Sequence, residues 1–230
     1  MNTHEQALDF STVIASTVHD MKNSLTLLMQ AHAQWLAALP QAHQGTPEQG
    51  VMEFEFAHLN GMLVQLLGLY KLGVNQLPVQ PGYHELDDFI EAQLVSHQDV
   101  FVSRGIAATY EVDPLTPLGF FDRELIASVL DNCINNAIRY ARHALLVSVH
   151  DEGGQTVLTI NDDGEGYPQP MIDNQADYVQ GINHSSGSTG LGLYFAGRIA
   201  ALHQRNGVCG RTEIRNGGPL GGGVFSLYLP

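Results

Sequence analysis

Apolar residues recur at Ile14, Val18, Met21, Leu25, Leu28, Trp35 and Leu39 in alternating steps of four and three, with His32 filling the one missing place. This near-heptad seam predicts a helix over about residues 7–39 that buries one stripe. Pro40 and the segment QAHQGTPEQG break it, and a second seam follows at Met52, Phe56, Leu59, Leu63, Leu66, Tyr70 and Gly73. Two long helices joined by a short turn make a helical hairpin. A lone hairpin has too little interior for both seams and their flanks, so two copies are expected to pair as a four-helix bundle.

After NQLPVQPG the pattern changes to short alternating runs between helices. It predicts a helix over Leu86 to Ser103, a strand over Ile106 to Val112, and a helix over Asp122 to Arg142 with Asp122 as N-cap. Strands over Leu145 to His150 and Gln155 to Asn161 flank the turn DEGG. A stretch rich in Gly, Asp, Ser and Asn from Asp162 to Thr189 reads as loop, followed by a helix over Leu191 to Gln204 and strands over Gly207 to Arg215 and Gly223 to Leu229. Helices and strands interleave without strict βαβ alternation, so the fold class is α+β, with a sandwich of helices on one sheet face following the hairpin. The division this implies is a hairpin over residues 1–75, a linker over 76–82 and a second domain over 83–230.

Composition narrows the function. Of 230 residues 44% are hydrophobic and 15% charged, so the chain folds, and 24 Asp and Glu against 10 Lys and Arg give a formal charge of −14. Binding to nucleic acid through a basic surface is disfavoured. The only lysines are Lys22 and Lys71, and Asp162 through Gly197 holds five acids and no Lys or Arg, so phosphate would have to be held by arginine, backbone amides or a metal ion. The two cysteines, Cys133 and Cys209, do not make a disulfide framework, and no signal peptide or spanning segment is expected, which points to the cytoplasm.

Four segments carry candidate chemistry. In HDMKNSL, His19 lies beside the Val18 seam position, about 100° round the helix. There Asp20 can fix the imidazole tautomer and Asn23, one turn on, shares its flank. In DNCINNAIRYA three asparagines stand inside a helix, where their amides compete with the backbone. Asn132 and Asn136 share a face on which amide oxygens could hold Mg²⁺ together with phosphate, although a polar outer face explains the segment equally well. NDDGEGYP follows a strand, with Asp162 as an acceptor for an exocyclic amino group and Gly164 and Gly166 allowing close backbone approach. In GSTGLGL, Gly190, Leu191 and Gly192 open a helix whose free amides favour an anion. The last two patterns also occur in ordinary turns.

In this order the four segments resemble the H, N and two glycine boxes of bacterial two-component sensor histidine kinases, over about residues 10–229. The resemblance implies a dimerising phosphotransfer hairpin followed by an ATP-binding α/β sandwich of the GHKL, or Bergerat, type. It implies ATP as substrate and Mg²⁺ as cofactor, with His19 accepting the γ-phosphoryl group, Asp20 as adjacent acid or base and Asn23 positioning water for dephosphorylation of a response-regulator receiver domain. Asn136 would bind Mg²⁺ and Asn132 would lie beside it toward the phosphates. Arg139 would approach the phosphates, Tyr140 would line the adenine pocket and Asp162 would read the adenine amino group. Gly164 and Gly166 would shape that pocket, while Gly190, Leu191 and Gly192 would meet the phosphates. Three departures stand out: Ser24 replaces a common proline, Tyr178 is the nearest aromatic to a phenylalanine box, and no sensor precedes about Phe10, so that the input would come from another protein or from the bundle itself. The alternative readings are a weakly catalytic phosphotransfer adaptor, and a serine kinase or ATP-gated clamp of the same superfamily; the latter two would not need HDMKNSL on a hairpin.

Overall fold

The computed structural model describes residues 10–40, 45–74, 76–175 and 191–230. The chain divides into two compact units, Met1–Pro78 and Val79–Pro230. The first is a helical hairpin of α1 (Phe10–Ala38) and α2 (Pro47–Gly73). Helix α1 runs unbroken past Ser24, as the missing proline implies. Helix α2 starts earlier than its apolar seam: Thr46 accepts from the Gln49 amide while the Gln49 side chain accepts from the Thr46 amide, and Pro47 occupies the first turn. This reciprocal cap, with proline where no N–H partner exists, was legible in TPEQ and absent from the periodicity.

In α1 the seam residues Val18 and Leu25 are buried, whereas Met21, Leu28 and Trp35 remain exposed. In α2 the buried residues are Phe54 and Gln65, neither on the expected seam, whose Met52, Leu59 and Leu66 are exposed.

The second unit opens with β1 (Gly82–Glu85), α3 (Leu86–Ser96), α4 (Gln98–Arg104), β2 (Ala107–Val112), β3 (Leu118–Phe121) and α5 (Arg123–Tyr140). It continues with β4 (Ala144–Glu152), β5 (Gln155–Asp162), α6 (Gln169–Asp173), α7 (Leu191–Leu202), β6 (Gln204–Arg205), β7 (Val208–Cys209), β8 (Arg211–Asn216) and β9 (Gly223–Leu229). A mixed five-stranded sheet has the order β2-β4-β5-β9-β8, parallel only between β2 and β4. β1 pairs with β3, and β6 with β7, in two small antiparallel sheets.

The register sorts the sheet faces. Val149 pairs with Leu158, Val147 with Ile160 and Leu145 with Asp162, so these six share one face, and all are buried. The other face carries Ser148, whose hydroxyl meets that of Thr159. Helix α5 covers the apolar face with Ile126, Leu130, Ile134 and Ile138, each at most 1% exposed, and α7 adds Phe195 and Ile199. Burying a side chain of this kind contributes about 1.5–3 kcal/mol.

Four local expectations are corrected. The helix expected over Leu86 to Ser103 is two helices, because the buried His97 ring places Nδ1 2.8 Å from the Gln93 carbonyl and ends α3 there. The strand expected from Gly207 is interrupted: Asn206 and Gly207 adopt positive φ in the turn between β6 and β7, and β8 starts at Arg211. α6 lies in the stretch read as loop, and β1 and β3 were not foreseen. Helix α5 closes at Tyr140 rather than Arg142, since Asp163 captures the Arg142 and His143 amides.

Candidate active site

In the hairpin, His19 and Asp20 sit on the exposed flank beside buried Val18, with side chains 63% and 77% exposed. Asp20 Oδ1 lies 3.8 Å from His19 Nδ1 and the Asn23 side-chain amide nitrogen 3.2 Å from the same atom. Asp20 and Asn23 thus both face Nδ1 of His19, and among the described residues Nε2 has no partner. With the amide nitrogen facing it, Nδ1 accepts and Nε2 bears the proton; turning the amide over would present oxygen to an Nδ1–H and free the Nε2 lone pair.

In the second unit the site grows from the end of β5. Asp162 lies on the helix-covered face, 7% exposed, and its Oδ1 accepts from the amides of Gly164 at 2.8 Å and Gly223 at 3.2 Å. The Gly222 amide donates to its backbone carbonyl. Among the described residues Oδ2 has no hydrogen-bond partner, so the carboxylate is fixed by one oxygen and offers the other. The turn that follows needs its glycines. A Cβ on Gly164 would overlap the Tyr140 carbonyl, and Gly166 has φ +80° with a Cβ position 2.5 Å from Asn216 Oδ1.

Helix α5 presents Asn132, Asn136 and Tyr140 at four-residue steps along one stripe. At one end of that stripe the Asn132 amide abuts the start of α7, where a Cβ on Gly192 would lie 2.6 Å from Asn132 Oδ1. At the other end the Tyr140 carbonyl abuts Gly164. Asn136 stands between these glycine segments, half-buried, while Arg139 and Tyr140 are exposed. The N-terminal amides of α7, from Leu191, complete the group. Gly190 and Tyr178 lie outside the described residues.

Several residues of this site had escaped the sequence. Gly222 and Gly223 pack on Asp162, where a Cβ on either would come within 2.7 Å of its carboxylate; the run GGPLGGG ahead of a strand was the available signal. Asp163 fastens the turn to the end of α5 by accepting the amides of Arg142 and His143. Burial alone would raise its pKa, but those amides together with that of Ala144 outweigh it and hold the carboxyl below its ordinary value. Tyr167 packs its ring near Gly223, and burial, reinforced by the neighbouring Cys133, Asp162 and Tyr140, pushes its phenol well above the ordinary value, so that it stays protonated. Buried Cys133 is likewise raised, chiefly by burial. The second unit therefore holds a fixed carboxylate, an asparagine stripe and backbone-tight glycines around one helix.

Residues 121–230 match the family model described as histidine kinase-, DNA gyrase B-, and HSP90-like ATPase. Sensor histidine kinase YkoH of Bacillus subtilis is 28% identical over 194 residues, covering 80% of this chain and 41% of that protein. Over residues 121–230 the C-terminal unit carries an ATPase domain of this histidine kinase-like type, and relatives of the chain such as YkoH are sensor histidine kinases. The fold agrees with solved histidine kinases. Histidine kinase AdeS of Acinetobacter baumannii has a TM-score of 0.59 at 18% identity, covering 92% of this chain and 96% of that one. Full-length ShkA in complex with AMPPNP has a TM-score of 0.67 at 17% identity, covering 96% of this chain and 46% of that one. The chain spans 41% of the length of YkoH. No helix among the described residues is long and apolar enough to cross a membrane.

Proposed function

We propose that this chain is an ATP-dependent protein-histidine kinase that autophosphorylates His19 and passes the phosphoryl group to an aspartate of a response-regulator receiver domain. The observation that carries the reading is the α5 stripe, with Asn136 held between the Gly164 turn and the Gly192 helix start beside the half-satisfied carboxylate of Asp162. These glycine positions form a cradle that any Cβ would fill, and the asparagine amides are neutral hard-oxygen donors, so the residues fit Mg·ATP. Asp162 Oδ2 would accept from the adenine amino group, with Tyr140 lining that pocket. Asn136 would hold Mg²⁺, Asn132 would lie beside it, and Arg139 with the α7 amides would face the phosphates. Mg²⁺ supplies charge neutralisation at the phosphate oxygens, which matters in a segment without Lys or Arg.

At the acceptor, Nε2 of His19 forms a bond to the γ-phosphorus as the bond to the β,γ-bridging oxygen breaks and ADP leaves. That requires the ring proton on Nδ1, where a turned Asn23 amide oxygen would accept its hydrogen bond and the Asp20 carboxylate would take the proton as the N–P bond forms. Asn23 would also orient water for dephosphorylation of the regulator. The exposed apolar residues of the hairpin support homodimerisation as a four-helix bundle: Met21, Leu28 and Trp35 continue the α1 stripe of Val18 and Leu25, and Met52, Leu59 and Leu66 stand open on α2.

Radiolabelled ATP should give acid-labile, base-stable label on the wild type and none on His19→Gln. Label that survives the substitution would remove His19 from the reaction. A weakly catalytic adaptor is the second reading, favoured by the acidic stretch after Asp162. Calorimetry with Mg·ATP separates the two: binding that is lost in Asn136→Ala and in chelator supports the kinase, and absence of binding supports the adaptor.

A further inference from the structure

The turn from Asp162 to Tyr167 is tied at its first end by the Gly222 and Gly223 amides. Its second end is tied by a side chain alone. Asn216, the last residue of β8, accepts from the Tyr167 amide through Oδ1 at 2.7 Å and donates from Nδ2 to the Tyr167 carbonyl at 2.8 Å. An amide that both donates to and accepts from one residue's backbone acts as an additional strand pairing. Serine has only one atom with which to reach both backbone groups, and aspartate cannot donate when ionised.

The circuit closes. Asn216 is the register partner of Gly223, whose amide holds Asp162 Oδ1. The same strand end therefore fixes both Asp162 and Tyr167, and the Asn216 amide stands against Gly166, where no Cβ fits. Gln175 adds a second tie to β8 by accepting the Ile214 amide at 2.8 Å. Asn216 is itself exposed, and of the residues assigned to the nucleotide pocket it meets Gly166 alone among the described residues.

We infer that Asn216 is a positioning residue of the nucleotide pocket, which holds the Asp162–Tyr167 turn in its binding shape through the backbone of Tyr167. This rests on the reading of the site as an ATP pocket. Loss of two hydrogen bonds at an exposed site leaves the sheet intact and frees the turn.

The test is calorimetric titration of the full chain with Mg·AMPPNP for wild type, Asn216→Ala and Asn216→Asp. Asn216→Ala should bind roughly tenfold more weakly with an unchanged far-ultraviolet circular dichroism spectrum. In autophosphorylation its KM for ATP should rise by about the same factor, with kcat within about twofold. Asn216→Asp keeps the acceptor but sets a carboxylate oxygen against the Tyr167 carbonyl. An ordinary aspartate titrates at about 4, so the carboxylate stays ionised at neutral pH and Asn216→Asp should bind at least as weakly as Asn216→Ala. Binding of Asn216→Ala within about twofold of wild type would overturn the inference. If that variant fails to fold, Asn216→Asp binding within about twofold of wild type would do the same. Wild type that binds no Mg·AMPPNP would overturn the ATP reading and this inference together.

Discussion

Replacing His203 by phenylalanine tests how the second unit is locked. His203 is 3% exposed at the C-terminal end of α7. Its Nδ1 lies 2.9 Å from the Ile199 carbonyl, which can only accept, so Nδ1 carries the proton. Its Nε2 accepts the Asp122 amide at 3.0 Å. Asp122 in turn caps α5 through the Leu125 amide and holds the Gln80 amide with its other oxygen. The ring is thus a neutral bridge between two helix ends. Protonation would set N–H against N–H, and its pKa is lowered, first by burial, with the Ile199 carbonyl and the Asp122 charge opposing. His203→Phe keeps the volume but leaves the buried Asp122 amide without an acceptor, a loss of about 1–3 kcal/mol, and with the Ile199 bond about 2–4 kcal/mol in all.

The pH dependence gives the sharper readout. The unfolded ring titrates near 6.5 and the folded ring lower, so between those values the unfolded state binds more protons and stability rises with pH. The bridge contributes fully above about pH 6.5 and is lost as pH falls toward the folded value, by about 1.4 kcal/mol for each unit of separation. Urea unfolding followed by far-ultraviolet circular dichroism suits this unit, because the single tryptophan, Trp35, lies on α1. The gap between wild type and His203→Phe should shrink from about pH 8 to about pH 5.5. A gap that stays constant or widens in acid would refute the neutral bridge.

Asp163→Ala should lower the melting temperature by the equivalent of about 1–3 kcal/mol, because two loop amides lose their acceptor. The wild-type contribution, from a depressed carboxyl, is present above about pH 4 and fades as pH falls, so the two melting curves should converge only in strong acid. Gly192→Ala should weaken Mg·AMPPNP binding at least about tenfold, since its Cβ displaces the Asn132 amide, whereas Gly61→Ala, which meets no atom within 4 Å, should bind nucleotide normally in the same titration. A thiol reagent should label Cys209 quickly and Cys133 only on unfolding, which mass spectrometry after timed quenching would resolve. Leu28→Glu should convert a dimer to monomer in sedimentation, since Leu28 is 57% exposed on the half of the seam the hairpin leaves open.

The α1 and α2 seams, the Asp122 cap and the alternation in β4 and β5 were legible because each is set by residues a few positions apart. So were the candidate segments, since each box keeps its residues within one turn of helix or one loop. The breaks at His97 and Asn206 were missed although their signals are local: the His97 ring meets the Gln93 carbonyl four positions back, and Asn206-Gly207 is a two-residue turn sequence.

Sequence order also determined which groups the site has: Asp162 at a strand end, asparagines at four-residue spacing and glycines before a helix. Only the tertiary structure decided how they are held. Asn216 meets Tyr167 across 49 positions, and His203 meets Asp122 across 81. Asp163 grips the end of α5 from 21 positions away. Such bonds carry no local signature, because a side-chain amide, carboxylate or imidazole can satisfy a backbone group anywhere that packing of the apolar faces brings within about 3 Å.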